Sequence, residues 1–537
     1  MTFTSFSFLI FTVAALVVYY VCPKKFRWII LLLASGTFYC IVCLKYVPFL
    51  LFTMLTTFLC ALWIERVQER RSEEQKKNKE LWSADEKKQF KAKTKICKRW
   101  ILVIPLVLNF GILFVLKGYL QMLMPKAGIT SFLTGLGILL PLGISFYTFQ
   151  SMGYLIDVYR GKTKAEKNFA KLALFVSFFP QIIQGPIAIY DDLAHQLFEG
   201  HDLTFENIKF GFQLVLWGLI KKMVIADRAA PLLSQILANK MEYGGFATLC
   251  AVLLYALQLY ADFSGGIDIA RGVAQMFGIT MAENFRRPYF SRSLGEYWRR
   301  WHITLGAWLK NYLFYPIAMS DGFFRLGKKT KKAFGSHVGK ELPGCIATLI
   351  TFLVIGIWHG ANWKYVGFGL WNGLILFASG LLKPVFVKIN EKLHIKTESF
   401  GWRLWQMFRT FLLVLAGYVF DIADGLGDGL RMLKSATAGA VSDLAGGALR
   451  SAGMVLDQIL AETGMSKPDL LLILLGLIVM LLVSIIQEKT QKSLRVCIDE
   501  KKQWLTWVLM IAATMAIIIL GIYGPGIKAG EFVYMQF

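Results

Sequence analysis

The chain has 537 residues, 56% of them hydrophobic, with a formal net charge of +24. Apolar runs of about 17–25 residues, the length that crosses a bilayer as helix, recur along it and exclude a soluble globular domain. The positive charge, which in a soluble protein would point to nucleic acid, therefore reads as the excess of Lys and Arg on the cytoplasmic side of a membrane protein.

In chain order, runs at 6–22, 28–46, 48–63, 101–116, 132–154, 342–358, 411–420 with its upstream residues, 470–486 and 507–523 predict transmembrane helices. Weaker candidates at 169–187, 208–226 and 247–263 bring the expectation to roughly ten to thirteen crossings. Lys24, Lys25 and Arg27 follow the first run, 65–99 is the longest charged stretch, and 160–171 follows the fifth run. Placing these three loops inside puts the N-terminus outside and lets the first five spans alternate. Charges follow the first apolar run instead of preceding it, so an uncleaved span is expected there rather than a signal peptide. The eight cysteines lie mostly in apolar runs; Cys40 and Cys43 make one CxxC. No second pair completes the roughly four ligands of a structural zinc, so packing is expected and no metal.

Three parts with one connecting segment follow: N-terminal spans at 1–64, a charged cytoplasmic segment at 65–99, a core at 100–382 with nearly all the unusual polar motifs, and C-terminal spans at 383–537. The last part encloses a polar Gly-, Ala- and Ser-rich insert at 421–469, in which a segment such as 448–460 suits an amphipathic surface helix.

Several apolar stretches carry residues that a simple span does not tolerate. In Phe178-Phe-Pro-Gln-Ile-Ile-Gln-Gly-Pro-Ile, Pro180, Gly185 and Pro186 break an ideal helix, while Gln181 and Gln184, three apart, would share a face. This reads as a re-entrant segment lining a cavity, or else as an interfacial loop. Asp262, Asp268 and Arg271 lie in an apolar neighbourhood, and the three-residue spacing of Asp268 and Arg271 suits a helical ion pair, a structural role at least as fitting as a chemical one.

Around His302, one helix is expected in which Trp298, Trp301, His302, Leu305, Trp308, Leu309 and Tyr312 form one apolar stripe. At about 100° per residue, Asn311 then points about 180° away from His302, and the arginines beside the stripe can reach headgroups. His302 is either a functional residue aimed into the protein or a histidine incidental to an interfacial belt helix. His359 ends an apolar run and Gly360 is a natural helix stop. A histidine at a helix C-terminus faces the negative end of the dipole, which suits a general base, or it simply caps the helix near the membrane surface.

Taken together, Pro141-Leu-Gly-Ile-Ser-Phe-Tyr-Thr-Phe-Gln, Phe178 to Ile187, Asp262-Phe-Ser-Gly, Asn284-Phe-Arg-Arg-Pro-Tyr, Glu296-Tyr-Trp-Arg-Arg-Trp-His-Ile-Thr-Leu and Gly356-Ile-Trp-His-Gly-Ala-Asn-Trp resemble the membrane-bound O-acyltransferase family, in its bacterial branch that O-acetylates alginate and other exopolysaccharides. Ile522-Tyr-Gly-Pro-Gly and the terminal Tyr534-Met-Gln-Phe are similar too, and the likeness is weakest over 421–469. The resemblance implies an all-α polytopic fold, a ring of tilted transmembrane helices with re-entrant segments around a central tunnel. It also implies that His359 is the essential histidine and His302 the second. Trp301, Asn311, Trp358, Asn362, Gln181, Gln184 and Ser264, in or beside these motifs, are expected to contact substrate. Many relatives carry Arg-Asp where this chain has Lys310-Asn311, which leaves amide recognition or packing there.

The activity so implied is transfer of an acetyl group from a cytosolic thioester, acetyl-CoA or an acyl-carrier donor, to hydroxyls of an extracytoplasmic polysaccharide or of a secreted or membrane-anchored partner protein. The setting is a bacterial cytoplasmic membrane, with lipid around the helices, and neither a bound cofactor nor nucleic acid is expected. No Gly-x-Ser-x-Gly elbow supports a serine intermediate. D-alanyl transfer to teichoic acid from a carrier-protein thioester is the rival chemistry. A polysaccharide transporter is the rival class, disfavoured because the interrupted helices cluster in 141–362 with no matching second set.

Overall fold

A computed structural model describes residues 1–523 except 79, 125–127, 129–134, 136–139, 501 and 502. The start of the expected span at 132–154, the Gly-Pro-Gly of the motif at 522–526 and the terminal Tyr534-Met-Gln-Phe thus lie outside the described residues. The regular structure of those residues is helical, apart from one isolated antiparallel bridge, Phe285 to Trp301, with turns and irregular segments between the helices. Among the described residues, six helices are long and apolar enough to cross a membrane, or seven if the bent pair Trp363–Leu381 and Lys383–Lys392 counts as one span. Phe6–Val21 and Trp504–Leu520 are shorter apolar helices. This total is below the number of apolar runs because Lys24–Lys77, which holds the runs at 28–46 and 48–63, counts as one span, and the runs at 6–22 and 507–523 lie in the two shorter helices. In addition, 169–187 is broken at Phe178 before Pro180, whereas 208–226 stays helical into a π turn.

The chain divides into two compact units, 1–212 with 270–282, and 213–269 with 283–537, so the division falls inside the 100–382 segment. The first unit contains α1 (Phe6–Val21), α2 (Arg27–Cys43), α3 (Val47–Lys77), α4 (Ala84–Leu116), α5 (Ile144–Arg160) and α6 (Phe169–Ser177). The charged 65–99 segment is largely helix, the end of α3 and the start of α4. Ser83 opens α4 with a capping box, its hydroxyl facing the Glu86 amide while Glu86 returns to the Ser83 N–H at 2.8 Å. Arg27 is buried, donating to the carbonyls of Cys22 (2.9 Å), Tyr20 (3.1 Å) and His201, so it has a structural role in the fold. After α6 the chain breaks at Phe178, forms one turn at Phe179–Ile182 and continues without regular structure to Ile189, as the two prolines dictate.

In the second unit, a π-helical turn, Ile220–Ala226, leads into α7 (Asp227–Ala238), followed by α8 (Lys240–Met276), whose residues up to Ile269 belong here. Then come α9 (Leu294–Arg300), α10 (Ile303–Leu309), α11 (Asp321–His359), α12 (Trp363–Leu381), α13 (Phe400–Ile422), α14 (Leu426–Lys434), α15 (Ala448–Thr463), α16 (Lys467–Thr490) and α17 (Gln503–Leu520). The π turn presents two lysines side by side. Lys221 Nζ donates to Ser264 Oγ (2.8 Å) and Asp268 Oδ2 (2.6 Å), and Lys222 Nζ to Asp262 Oδ1 (2.6 Å) and Asp227 Oδ1 (2.8 Å). Asp262 and Asp268 therefore each hold a buried lysine, the paired arrangement that charges in an apolar interior need.

The 421–469 insert is also ordered into helix. Its Asp443 accepts from the amides of Gly245 (2.7 Å) and Phe246 (3.0 Å) at the bend of α8, where Gly244 takes φ 82°. Lys240 at the start of α8 pairs with Asp424 (2.9 Å) and Asp428 (2.6 Å).

Candidate active site

The expected single helix across 298–312 does not form. Helix α9 stops at Arg300, Trp301 is extended (φ −104°, ψ 129°) and His302 adopts the left-handed conformation (φ 45°, ψ 54°) before α10 begins. A residue other than glycine is uncommon there, so the surroundings must hold it. They do so through the segment at 284–287, which runs antiparallel to 300–303. Arg286 N–H donates to the Arg300 carbonyl (2.9 Å) and Ile303 N–H to the Asn284 carbonyl (3.0 Å). Glu488 of α16 ties both strands of this bridge, accepting from Arg287 Nε (2.6 Å) and Arg300 Nη1 (3.0 Å). Arg300 thus serves the bridge, also pairing with Glu296 at 2.7 Å, instead of reaching for headgroups. The periodicity concealed this break because Trp, His and Leu carry no helix-breaking signal; only the Asn-Phe-Arg-Arg-Pro motif partnering them marks it.

His302 is 4% exposed, with Phe263 edge-on to its ring at 4.9 Å. Its Nδ1 lies 3.2 Å from Asn284 Oδ1, which also accepts from the Thr304 amide (3.0 Å) and the Thr304 hydroxyl (2.9 Å). An amide N–H can bond only to the oxygen of the Asn284 side chain, so the atom facing His302 is an acceptor and Nδ1 carries the proton. The other nitrogen, Nε2, is then the one with the lone pair.

His359 is the last residue of α11, and a tight turn returns the chain through α12. Asn362 caps α12, its Oδ1 accepting from Lys364 N–H (3.0 Å) while its Nδ2 donates to the Asp424 carbonyl (3.2 Å). The His359 ring lies between Tyr365 (5.9 Å, nearly parallel) and Phe368 (5.3 Å, edge-on), with Trp358 at 5.2 Å. Glycines allow this closeness: a Cβ on Gly356 would meet the Tyr365 carbonyl oxygen, and one on Gly360 would stand 2.6 Å from the Tyr365 ring.

Both histidines line one cavity of about 520 Å³ in the second unit. Its wall is largely apolar or aromatic, with Leu259, Phe263, Trp298, Trp301, Leu305, Phe352, Ile355 and Phe368, and its polar groups include Tyr255, Thr348, Thr351, Tyr418, Asp421, Arg299 and Lys310. Trp298 is fixed by donation from Nε1 to Asn372 Oδ1 at 3.1 Å, and Trp301 stacks on Tyr297 at 5.6 Å. An apolar pocket with a few convergent polar groups and two imidazoles suits proton transfer on a small acyl group.

Of the expected substrate contacts, Trp301 lines this cavity. Asn311, Trp358, Asn362 and Ser264 are not among its lining residues, and Asn362 and Ser264 are engaged as helix cap and lysine partner. With the helix broken at His302, the half-turn argument separating Asn311 from it no longer applies. Gln181 and Gln184 belong to the first unit, both buried, with Gln181 donating to Gln150 Oε1. Sequence reasoning missed Asn284 as the partner of His302, although it opens a quoted motif, and Asp421, which it placed at the edge of the insert.

The family model described as MBOAT, membrane-bound O-acyltransferase family, matches residues 164–416, which include both histidines. The chain is 35% identical to the probable alginate O-acetylase AlgI of Pseudomonas putida over 63% of this chain and 65% of that protein, just under two thirds of its length. It is 33% identical to the probable alginate O-acetylase AlgI of Azotobacter vinelandii over 80% of this chain and 77% of that protein. It is 27% identical to the teichoic acid D-alanyltransferase of Streptococcus thermophilus over 52% of this chain and 69% of that protein. With its apolar helices, two-histidine cavity and these relatives, the chain is a multi-pass membrane protein that belongs to the membrane-bound O-acyltransferase family.

Proposed function

We propose that this protein is an O-acyltransferase. It moves an acetyl group from a cytosolic thioester, acetyl-CoA, to a hydroxyl of an extracytoplasmic polysaccharide or of a secreted or membrane-anchored relay protein. Its setting is a bacterial cytoplasmic membrane, with the N-terminus outside. The observation that carries this reading is the placement of His302 and His359 on one largely apolar cavity. Membership of the family and the alginate O-acetylase names of its relatives support the class of reaction.

In this mechanism His359 takes the proton from the acceptor hydroxyl as its oxygen attacks the thioester carbonyl. The new C–O bond forms, the carbonyl pair moves onto oxygen, and collapse breaks the C–S bond; the departing thiolate recovers the proton from His359. His302, with Nδ1–H held by Asn284, offers Nε2 as an acceptor that orients the hydroxylated substrate. The orientation imposed by a fixed imidazole and a low-dielectric wall is worth more here than in water.

Transfer of label from radiolabelled acetyl-CoA by purified protein in liposomes tests this reading. Wild type should transfer label, and His359→Ala should fold yet lose about 10²–10⁴-fold of the rate. Retained activity in that variant removes His359 from the chemistry. The likeness to a teichoic acid D-alanyltransferase favours a second reading, aminoacyl transfer from a carrier-protein thioester, which predicts no turnover of acetyl-CoA and turnover of a D-alanylated carrier protein.

A further inference from the structure

The histidine cavity holds two buried polar groups that the mechanism above does not use. Asp421, near the end of α13, is 8% exposed and lines the cavity, and its Oδ1 is buried with no hydrogen-bond partner among the described residues. The Lys364 ammonium donates to the backbone carbonyls of Asp421 (3.0 Å) and Ala423 (2.7 Å), which leaves that carboxylate oxygen unclaimed. Tyr255, 4% exposed, lines the same cavity, and its hydroxyl is likewise buried without a partner among the described residues. The adjoining tyrosines are already satisfied: Tyr418 shares hydrogen bonds with Tyr297 (2.7 Å) and Tyr289 (3.3 Å), and Tyr289 donates to the Ala256 carbonyl (2.7 Å).

These groups converge. Tyr418 and Asp421 are three residues apart on α13 and so share a face, and the Tyr255 ring meets Tyr418 edge-on at 5.5 Å. A carboxylate oxygen and a phenol hydroxyl removed from water without partners carry a desolvation cost that a ligand can offset. A carboxylate accepts O–H hydrogen bonds, a phenol donates or accepts one, and flat aromatic faces such as Trp301 and Tyr418 cover the C–H surface of a sugar ring. An ammonium ligand suits the carboxylate less well here, because Arg299 and Lys310 already bring two cations to the same cavity.

The geometry points to Asp421 and Tyr255 as a subsite for a second hydroxyl of a polyhydroxylated acceptor, selecting which neighbouring hydroxyl reaches the histidines. This deepens, and rests on, the O-acyl transfer reading.

Binding of methyl β-D-glucopyranoside and its monodeoxy analogues to the full chain in nanodiscs, followed by saturation-transfer NMR, tests the subsite without turnover. Wild type should bind the parent glycoside about tenfold more tightly than at least one deoxy analogue. Asp421→Asn and Tyr255→Phe, the latter removing only a hydroxyl, should weaken the parent about tenfold and bind parent and analogue alike. Failure of wild type to bind the glycoside, or equal discrimination in wild type and Tyr255→Phe, overturns the proposal. Failure of the transfer reading is distinguishable: discrimination that depends on Asp421 and Tyr255, with no acetyl transfer from acetyl-CoA, keeps the subsite and removes the donor assignment.

Discussion

His302 Nδ1 donates to Asn284 Oδ1 across 3.2 Å, and that contact sets both the tautomer and the orientation of a buried imidazole. The same oxygen receives two further donors from Thr304, so one side chain anchors the ring and the first turn of α10.

Replacing Asn284 by Ala strands those donors in a buried site. A loss of about 1–3 kcal/mol of stability is expected, read as a lower melting temperature in detergent, because an unsatisfied buried donor forfeits its desolvation free energy. Turnover should fall further than in Asn284→Asp, which keeps an oxygen for Nδ1–H. Equal turnover in Ala and Asp variants would mean that the contact does not govern the tautomer.

The left-handed backbone at His302 separates chemistry from folding. His302→Asn should fold about as well as wild type, since Asn tolerates φ 45°, while losing about 10²-fold or more of the rate. His302→Val should also lose stability, by about 1–2 kcal/mol, because a β-branched residue is penalised in that region. A thermal melt in which Asn and Val variants behave alike would argue against a held, strained turn.

Both histidines were legible in the sequence because an ionisable group flanked by tryptophans inside apolar runs has few structural uses. The break at Trp301–His302 was hidden, since no residue there opposes helix and the force that breaks it, pairing with 284–286, comes from outside the segment. Asp421 was missed for a related reason. It follows Tyr-Val-Phe at the end of a span, where an acid ordinarily marks the way out of the membrane, and only the packing around it turns that position inward. The lysine pair at 221–222 falls inside the weaker candidate span at 208–226 and carries no signal of its own there; that it is neutralised by Asp227, Asp262 and Asp268 depends on a π turn that spacing alone does not reveal.

The turn that carries His359 depends on a close helix pair. Gly356→Ala places a methyl group against the Tyr365 carbonyl, and a Cβ at Gly369 would stand 2.5 Å from the Phe352 carbonyl oxygen. Such overpacking is expected to cost about 1–3 kcal/mol and to displace His359. Gly344→Ala, on the same helix with nothing within 4 Å of the new atom, should be neutral or stabilising by up to about 1 kcal/mol. If the two variants melt at the same temperature, contact between α11 and α12 is not what holds the turn.

Lys222 holds two carboxylates at once, Asp262 at 2.6 Å and Asp227 at 2.8 Å, with all three side chains nearly withdrawn from solvent. Removing one member of a buried pair leaves an uncompensated charge and costs about 3–5 kcal/mol. Lys222→Met leaves two such charges and should be the most damaging single change, with expression of folded protein strongly reduced. Asp262→Asn leaves the lysine one carboxylate and an amide oxygen, and should be milder. The triple change Lys222→Met, Asp227→Asn and Asp262→Asn removes every charge and should recover much of the stability lost in Lys222→Met. Size-exclusion profiles and melts of the three proteins decide the point. A triple variant no better than Lys222→Met would show that the lysine acts through its shape and not by neutralising the two acids.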